Sequence, residues 1–195
     1  NVADATSSSA TDLTVSAPLI NRNATLGGNG GFTKTGAGTM TLTGANTFSG
    51  NAAVSAGTLV LGVNGGNPQY GTLENSALLS IESGAAVRVL GANAFKGYSG
   101  GAQAVTLNGG ELILGDGVTE NGNHLLAALV LNGGTISGVG NTIWGGFNLT
   151  GDVSVTNDST ISATNMNTAN TARTITVAAA KTLTWSGNIL SLIHI

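Results

Sequence analysis

The feature that most constrains the fold is a recurring unit: a short alternating strand, a small turn and a second short alternating strand. It is clear in AVTLNGGELIL (Ala104–Leu114) and returns in four other segments, Leu78–Leu90, Ala128–Ser137, Asp152–Ser162 and Thr174–Trp185. Equivalent places in the first strands are held by residues spaced 26, 24, 24 and 22 apart, namely Leu79, Val105, Leu129, Val153 and Ile175. One unit cannot bury its own apolar face, so this period predicts a solenoid of stacked units.

Apolar and polar residues alternate within the strands. Val105 and Leu107 belong to one face and Thr106 to the other, and the same period of two recurs in the later strands, including Ile175 and Val177. The alternation predicts strands with one buried side and one solvent-facing side. The turns Asn108–Gly110 and Asn132–Gly134 both read Asn-Gly-Gly, and these residues tolerate positive φ at low cost.

Two alternatives remain open at this stage. Asn-Gly between alternating strands is also a strong hairpin signal, so a meander or sandwich of hairpins competes with a coil. The long period, with equivalent residues able to stack on one another, favours the coil. The apolar run HLLAALVL (His124–Leu131) fits a strand, but it could also open with a short helix.

Composition excludes several classes of protein. Charged residues make up 8% and hydrophobic residues 41% of 195 residues, so the chain has enough apolar surface for a core and no signature of disorder. The net charge is −3, without a basic cluster, which gives no footprint for nucleic acid. Cysteine is absent, which removes disulfides and thiolate metal sites. No apolar run matches a membrane-spanning helix and no signal peptide opens the sequence, so we expect any export signal to lie upstream.

The stretch GGFTKTGAGTMTLTGANTFSGNAAVSAGTLVLG (Gly30–Gly62) closely resembles the autotransporter-associated β-strand repeat, also called the passenger-associated transport repeat. Phe32, Met40, Thr43 and Phe48 are mild departures from that motif. The resemblance implies a right-handed parallel β-helix within the passenger of a bacterial autotransporter. It also implies a C-terminal outer-membrane β-barrel translocator as partner, and a location outside the cell or at the surface of a Gram-negative bacterium.

We accordingly expect four regions. Residues 1–29 are a preceding β-helix rung or the start of a fragment, 30–62 the repeat, 63–189 further β-helix rungs, and 190–195 a non-native tail. The last six residues, LSLIHI, match a common sequencing adapter translated in one frame, so we give His194 no role.

Candidate catalytic residues are few. The local concentration of Glu111, Asp116, Glu120 and His124 is the best candidate for a glycan-active site or a loose Ca²⁺ site, since such chemistry needs converging carboxylates. Their spacing favours solvated loop polarity instead. The glycines of Gly36–Gly38 are interpreted as turn residues, because a phosphate loop would continue with Gly-Lys-Ser/Thr. We therefore expect a protein that is not an enzyme, with no catalytic, cofactor-binding or metal-binding residue.

The remaining notable side chains have structural interpretations. Lys34, the one charge in the repeat, is interpreted as a surface residue, the alternative being a pair with a carboxylate on an adjacent rung. Four other cations are also interpreted as isolated surface residues: Arg88, Lys96, Arg173 and Lys181. Phe48 is expected to pack locally. Four aromatic residues are expected in the core rather than in a sugar-stacking platform: Phe95, Tyr98, Trp144 and Phe147.

The sequence thus predicts a structural stalk segment of an exported passenger, with adhesion to host or environmental glycans or matrix proteins as a second role to consider. The alternatives are a glycan-active β-helix enzyme, resembling polysaccharide lyases or hydrolases, and a free-standing adhesin. No nucleic acid partner and no membrane-spanning segment are expected in this chain.

Overall fold

A computed structural model describes residues 1–21, 29–61, 73, 75–90, 94–95, 101–115, 123–140, 146–168 and 171–190. Strands and turns make up these residues, and no helix occurs in them. The strands are β1 (Thr11–Val15), β2 (Phe32–Lys34), β3 (Thr39–Leu42), β4 (Ala52–Val54), β5 (Gly57–Leu61), β6 (Leu78–Glu82), β7 (Ala85–Val89), β8 (Gln103–Asn108), β9 (Glu111–Leu114), β10 (Asn123–Asn132), β11 (Thr135–Gly138), β12 (Gly146–Leu149), β13 (Val153–Asn157), β14 (Ser159–Ile161), β15 (Met166–Asn167), β16 (Ile175–Val177), β17 (Leu183–Trp185) and β18 (Ile189–Leu190).

These strands form two sheets. The first sheet has eight strands in the order β1-β3-β5-β7-β9-β11-β14-β17, and the second has ten, running β18-β15-β12-β10-β8-β6-β4-β2, with β13 beside β10 and β16. Strands that follow one another along the chain mostly lie in different sheets. Each strand pairs instead with the equivalent strand of the neighbouring turn, and these pairings are parallel. Hairpins would pair consecutive strands antiparallel. The hairpin alternative is therefore wrong, and the all-β, parallel β-solenoid is confirmed.

The register of the second sheet reproduces the period of the sequence. Val105 lies opposite Leu79 on one side and Leu129 on the other. Val153 likewise lies between Leu129 and Ile175. The spacings of 22 to 26 residues are therefore single turns of the solenoid. The right-handed winding stays an expectation, in line with the usual hand of crossovers between parallel strands.

The core lies between the sheets. Val105 and Leu107 are 1% and 0% exposed, while Thr106 between them is half-buried, as the alternation predicts. The prediction of a buried face is wrong for Ile175 and Val177, which are 42% and 39% exposed. The reason is their position: β16 pairs with β13 alone in the described part of the chain, so no second turn covers these side chains.

The helix considered for His124–Leu131 is also wrong, because these residues lie within β10. The first half of β10 pairs with β12 and its second half with β13. The turn that follows β10 and β11 therefore has three strands, β12, β13 and β14, where the turns before it have two. The shift in register between Leu126 and Ala128 interrupts the alternation, which explains why the apolar run could not be assigned by its period.

Glycines form the corners between the two sheets. Gly109 and Gly133 have φ of +78° and +83°, in the left-handed region where a side chain is strained. Both belong to the Asn-Gly-Gly turns, so the turn prediction is confirmed.

No helix within the described residues is long and apolar enough to cross a membrane. The division into residues 1–29, 30–62, 63–189 and 190–195 stays a prediction, and residues 191–195 lie outside the described part of the chain.

Candidate functional site: two coils joined by Lys34

The most unusual side chain in the described structure is that of Lys34, the last residue of β2. It is 1% exposed. In the register of the second sheet it lies opposite Val54, which lies opposite Ile81 in turn. The column continues through residues that are aliphatic, namely Leu107, Leu131, Val155 and Val177. A lysine thus occupies the first described place of an aliphatic column.

The Lys34 ammonium is held by backbone carbonyl groups. Its Nζ donates hydrogen bonds to Gly36 O at 2.6 Å and to Ala56 O at 2.7 Å. Gly36 lies in the bend between β2 and β3, and Ala56 lies in the bend between β4 and β5. One side chain therefore ties together the corners of two successive turns. The lysine stem fills the apolar column, and the carbonyl oxygens take the place of water around the charge.

The surface interpretation of Lys34 is therefore wrong. Its alternative, a pair with a carboxylate on an adjacent rung, is replaced by these two backbone hydrogen bonds. Asp12 on β1 does act on the lysine electrostatically, because its negative charge favours the ammonium form. Burial dominates over this attraction and lowers the pKa of Lys34 below its ordinary value of 10.5.

Asp12 is itself fixed by backbone groups around the same corner. The N–H of Thr39 donates to Asp12 Oδ2 at 2.8 Å, and those of Ala5 and Thr6 donate to Oδ1 at 2.9 and 3.1 Å. The hydrogen bond from Thr39 is the main reason that the pKa of Asp12 lies below its ordinary value of 3.8. The carboxylate thus ties the N-terminal segment to β3.

The lowered pKa of Lys34 predicts a rise of stability with pH in the alkaline range. Below its folded-state pKa, the folded protein bears the full cost of burying the charge. This cost disappears as the pH rises from that value towards 10.5, the ordinary pKa that applies to the unfolded chain. We expect the urea midpoint of the wild type to rise relative to that of Lys34→Met as the pH approaches 10.5 from below. Parallel pH profiles of the two proteins would contradict the expectation.

The loop after β3 packs against the preceding turn. The N–H of Leu19 donates to Asn46 Oδ1 at 2.8 Å, and the N–H of Thr47 donates to Leu19 O at 2.9 Å. Phe48 is 2% exposed, and its ring centre lies 6.3 Å from that of Phe32. The local packing predicted for Phe48 is confirmed.

Of the four residues considered for acid/base chemistry, the structure describes Glu111 and His124. Glu111 is half-buried at the start of β9 and accepts a hydrogen bond from Ser137 Oγ at 2.5 Å. His124 is fully buried, with its ring centre 5.6 Å from that of Phe95 and 5.7 Å from that of Phe147. Asp116 and Glu120 lie outside the described residues, and those described contain no group of three acidic or histidine side chains suited to a metal ion. The expectation of no catalytic, cofactor or metal residue stays a prediction.

The aromatic prediction is confirmed where the structure describes it. Phe95 and Phe147 are 1% and 0% exposed, and their rings stack with centres 6.4 Å apart. Tyr98 and Trp144 lie outside the described residues. The His124 ring lies against both rings, edge-on to Phe95 and tilted relative to Phe147, a contact that its place in a polar sequence window did not indicate.

The arginines are not isolated surface residues, which corrects the prediction. Arg88 and Arg173 are half-buried. Arg88 Nη1 donates to Gly115 O at 3.0 Å, and Arg173 Nε donates to Leu149 O at 2.9 Å, each reaching a neighbouring turn. Lys181 is exposed as predicted, and Lys96 lies outside the described residues.

The two coils joined by Lys34 carry a family signature. The model of the passenger-associated-transport-repeat family matches residues 32–61. This segment is an autotransporter passenger repeat. The match begins at the first residue of β2 and ends at the last residue of β5, so the transport repeat consists of two successive turns of the solenoid. Both carbonyl groups bound by Lys34 lie inside it.

A longer stretch is similar to a named protein. Over 103 residues the chain is 34% identical to "Adhesin BmaC autotransporter" of Brucella suis biovar 1 (strain 1330). The match covers 53% of this chain and 3% of that protein, so the chain spans a small part of the relative. No solved structure matches the chain significantly. The similarity therefore reaches well beyond the transport repeat itself.

Proposed function

We propose that this chain is part of the passenger of a Gram-negative autotransporter, where it forms a stiff stalk that supports export and display at the cell surface. The observation that carries the proposal is the coincidence of the transport repeat with the strands of two successive turns of a parallel solenoid, β2 to β5. Its partner would be the translocator at the C-terminal end of the same polypeptide.

The physical basis of the proposal is folding by stacking. Each turn pairs mainly with its two neighbours, so a folded turn offers both an open sheet edge and an apolar surface to the next turn. A passenger that folds turn by turn after crossing the outer membrane cannot slide back, and folding outside thereby favours net export.

The test compares two substitutions to aspartate in the full-length protein, one at a residue that faces the core and one at the adjacent residue that faces outward. Val153 is 1% exposed, whereas the adjacent Ser154 is half-buried on the outer side of the same strand. We expect Val153→Asp to lower both the amount of passenger at the cell surface and its protease resistance, because a buried carboxylate disrupts stacking. Ser154→Asp is the matched control and should leave both unchanged. If Val153→Asp unfolds the purified segment but surface yield stays normal, the stalk does not support export by folding.

A second candidate function is adhesion, favoured by a groove on the outer face of the first sheet. The groove has a volume of about 480 Å³ and is lined by Thr58, Val60, Arg88 and Ile113 among others. Arg88 lines the groove and donates one hydrogen bond, from Nη1 to Gly115 O. Arginine binds carboxylates with two parallel hydrogen bonds, and the threonine hydroxyl suits sugar hydroxyl groups.

A glycan fits this surface better than a peptide. Strands β5 and β7 are paired on both sides, so an extended peptide cannot add to them as a further strand. The test is binding of a uronate-containing polysaccharide, hyaluronan, by the purified chain. We expect Arg88→Gln to weaken binding about tenfold, the loss of one charged hydrogen-bonded contact, and the control Arg173→Gln to leave it unchanged. Equal binding by both variants would refute this role, and cleavage of the polysaccharide by the wild type would favour an enzyme.

A further inference from the structure

We infer that Lys34 sets the register in which the two turns of the transport repeat stack. Its ammonium reaches the carbonyl groups of Gly36 and Ala56 together when β2 and β4 pair as observed. The inference goes beyond the proposed export function, because it concerns how the turns find each other and can be tested without export.

The rest of this pairing specifies the register weakly. Strand β2 has three residues, and it lies opposite two alanines and one valine, Ala52–Val54. A slip by one residue would turn every side chain to the opposite face, but a slip by two would return each to the same face. Two small side chains opposite Phe32 and Thr33 offer little steric resistance to a two-residue slip. Aliphatic columns are tolerant of such exchanges, since one apolar contact replaces another.

The lysine discriminates between these registers. In the observed pairing Lys34 lies opposite Val54, two residues before Ala56. A slip by two residues shifts β2 by about 7 Å along the strand direction, which is beyond the reach of a hydrogen bond from a side chain held in the core. The buried ammonium would then lose a carbonyl partner with no water to replace it, and such a loss is costly. Single buried polar residues fix the register of coiled coils by the same logic.

The corners around Lys34 are built as one stack, which supports a role in alignment. Val2 N–H donates to Thr35 O at 2.8 Å, and Gly38 N–H donates to Val2 O at 2.9 Å, so the chain near the N-terminus lies over the first corner. On the other side, Ser55 N–H donates to Lys34 O at 2.9 Å. The lysine therefore lies between corners that backbone hydrogen bonds hold in line with one another.

Register can be measured with pairs of cysteines, because the chain contains none of its own. Thr33 and Ala53 lie directly opposite each other on the outer side of the sheet. Neighbouring strands are about 4.8 Å apart, within the range of Cα distances that a disulfide bridges. Thr33→Cys with Ala53→Cys therefore reports the observed register. Thr33→Cys with Ser55→Cys reports the register slipped by two residues, since these positions are too far apart otherwise.

Each pair is oxidised mildly after refolding, in the background of Lys34 or of Lys34→Met, which keeps the length of the side chain but removes its donors. With Lys34 we expect the first pair to cross-link at least tenfold more than the second. With Lys34→Met we expect the yield of the second pair to rise several-fold and that of the first to fall. Val54→Met, a substitution opposite Lys34 in the same column, is the control for repacking and should keep the wild-type pattern.

Two results would overturn the inference. One is an unchanged cross-linking pattern in Lys34→Met. The other is a parallel loss of both cross-links together with loss of the far-ultraviolet β signal, which would assign to Lys34 a role in stability without a role in register. Neither result bears on export, so the proposed function stands or falls by its own test.

Discussion

Gly57→Ala is expected to destabilise the protein much more than Gly84→Ala. Both glycines have left-handed backbone, with φ of +64° at Gly57 and +76° at Gly84, so both alanines bear a conformational cost of about 1 kcal/mol. The surroundings differ. A Cβ built on Gly57 would lie 2.5 Å from Ala37 O and 2.6 Å from Gly36 O, whereas one built on Gly84 meets nothing within 4 Å. We expect Gly57→Ala to lower the free energy of unfolding by roughly 2 kcal/mol or more beyond the loss caused by Gly84→Ala.

The clash at Gly57 cannot relax easily, because both oxygens belong to the first corner of the transport repeat and Gly36 O also accepts the hydrogen bond from Lys34. Urea unfolding of the two variants and the wild type gives the free energies of unfolding. Hydrogen exchange at the amide of Thr58, which donates to Gly38 O at 3.4 Å, reports whether the corner itself opens. Equal stability of Gly57→Ala and Gly84→Ala would show that the two corners are not held in close contact.

The architecture could be predicted from the sequence because two periods in it have direct physical meaning. The alternation of Val105, Thr106 and Leu107 indicates which side chains face the core. The spacing from Leu79 to Val105 and from Val105 to Leu129 indicates which residues of successive turns stack. In the structure, Val105 lies opposite both Leu79 and Leu129. Both signals repeat over several units, so an error in one unit does not change the fold.

The role of Lys34 could not be predicted in this way. A lysine in a polar, threonine-rich segment resembles a solvated residue, and its burial depends on carbonyl groups of residues 36 and 56 that folding brings to it. The available signal was its place two residues after Phe32, in the alternation that leads to the inward column. His124 is a similar case, since its two aromatic neighbours come from other turns.

The exposure of Ile175 and Val177 has a different cause, since β16 pairs with β13 alone in the described part of the chain. Val155 and Val177 are the same residue type in the same inward column and lie directly opposite each other. Val155 is 1% exposed and Val177 is 39% exposed. Truncation to alanine at Val155 removes buried methyl groups and leaves a cavity, at a cost of about 2–3 kcal/mol. Truncation at Val177 leaves space that solvent can fill, so we expect a cost below about 1 kcal/mol.

Urea unfolding of Val155→Ala and Val177→Ala measures this difference, and Ser154→Ala, on the outer face of the same strand as Val155, is the control that leaves the core unchanged. The pair separates two explanations of stability in a solenoid. If each turn were stable by itself, the same substitution would cost the same in either turn. If stability comes from stacking, the cost depends on how many neighbouring turns cover the residue, and Val155, with β10 on one side and β16 on the other, must be the more sensitive position. Equal costs would remove the physical basis for folding turn by turn.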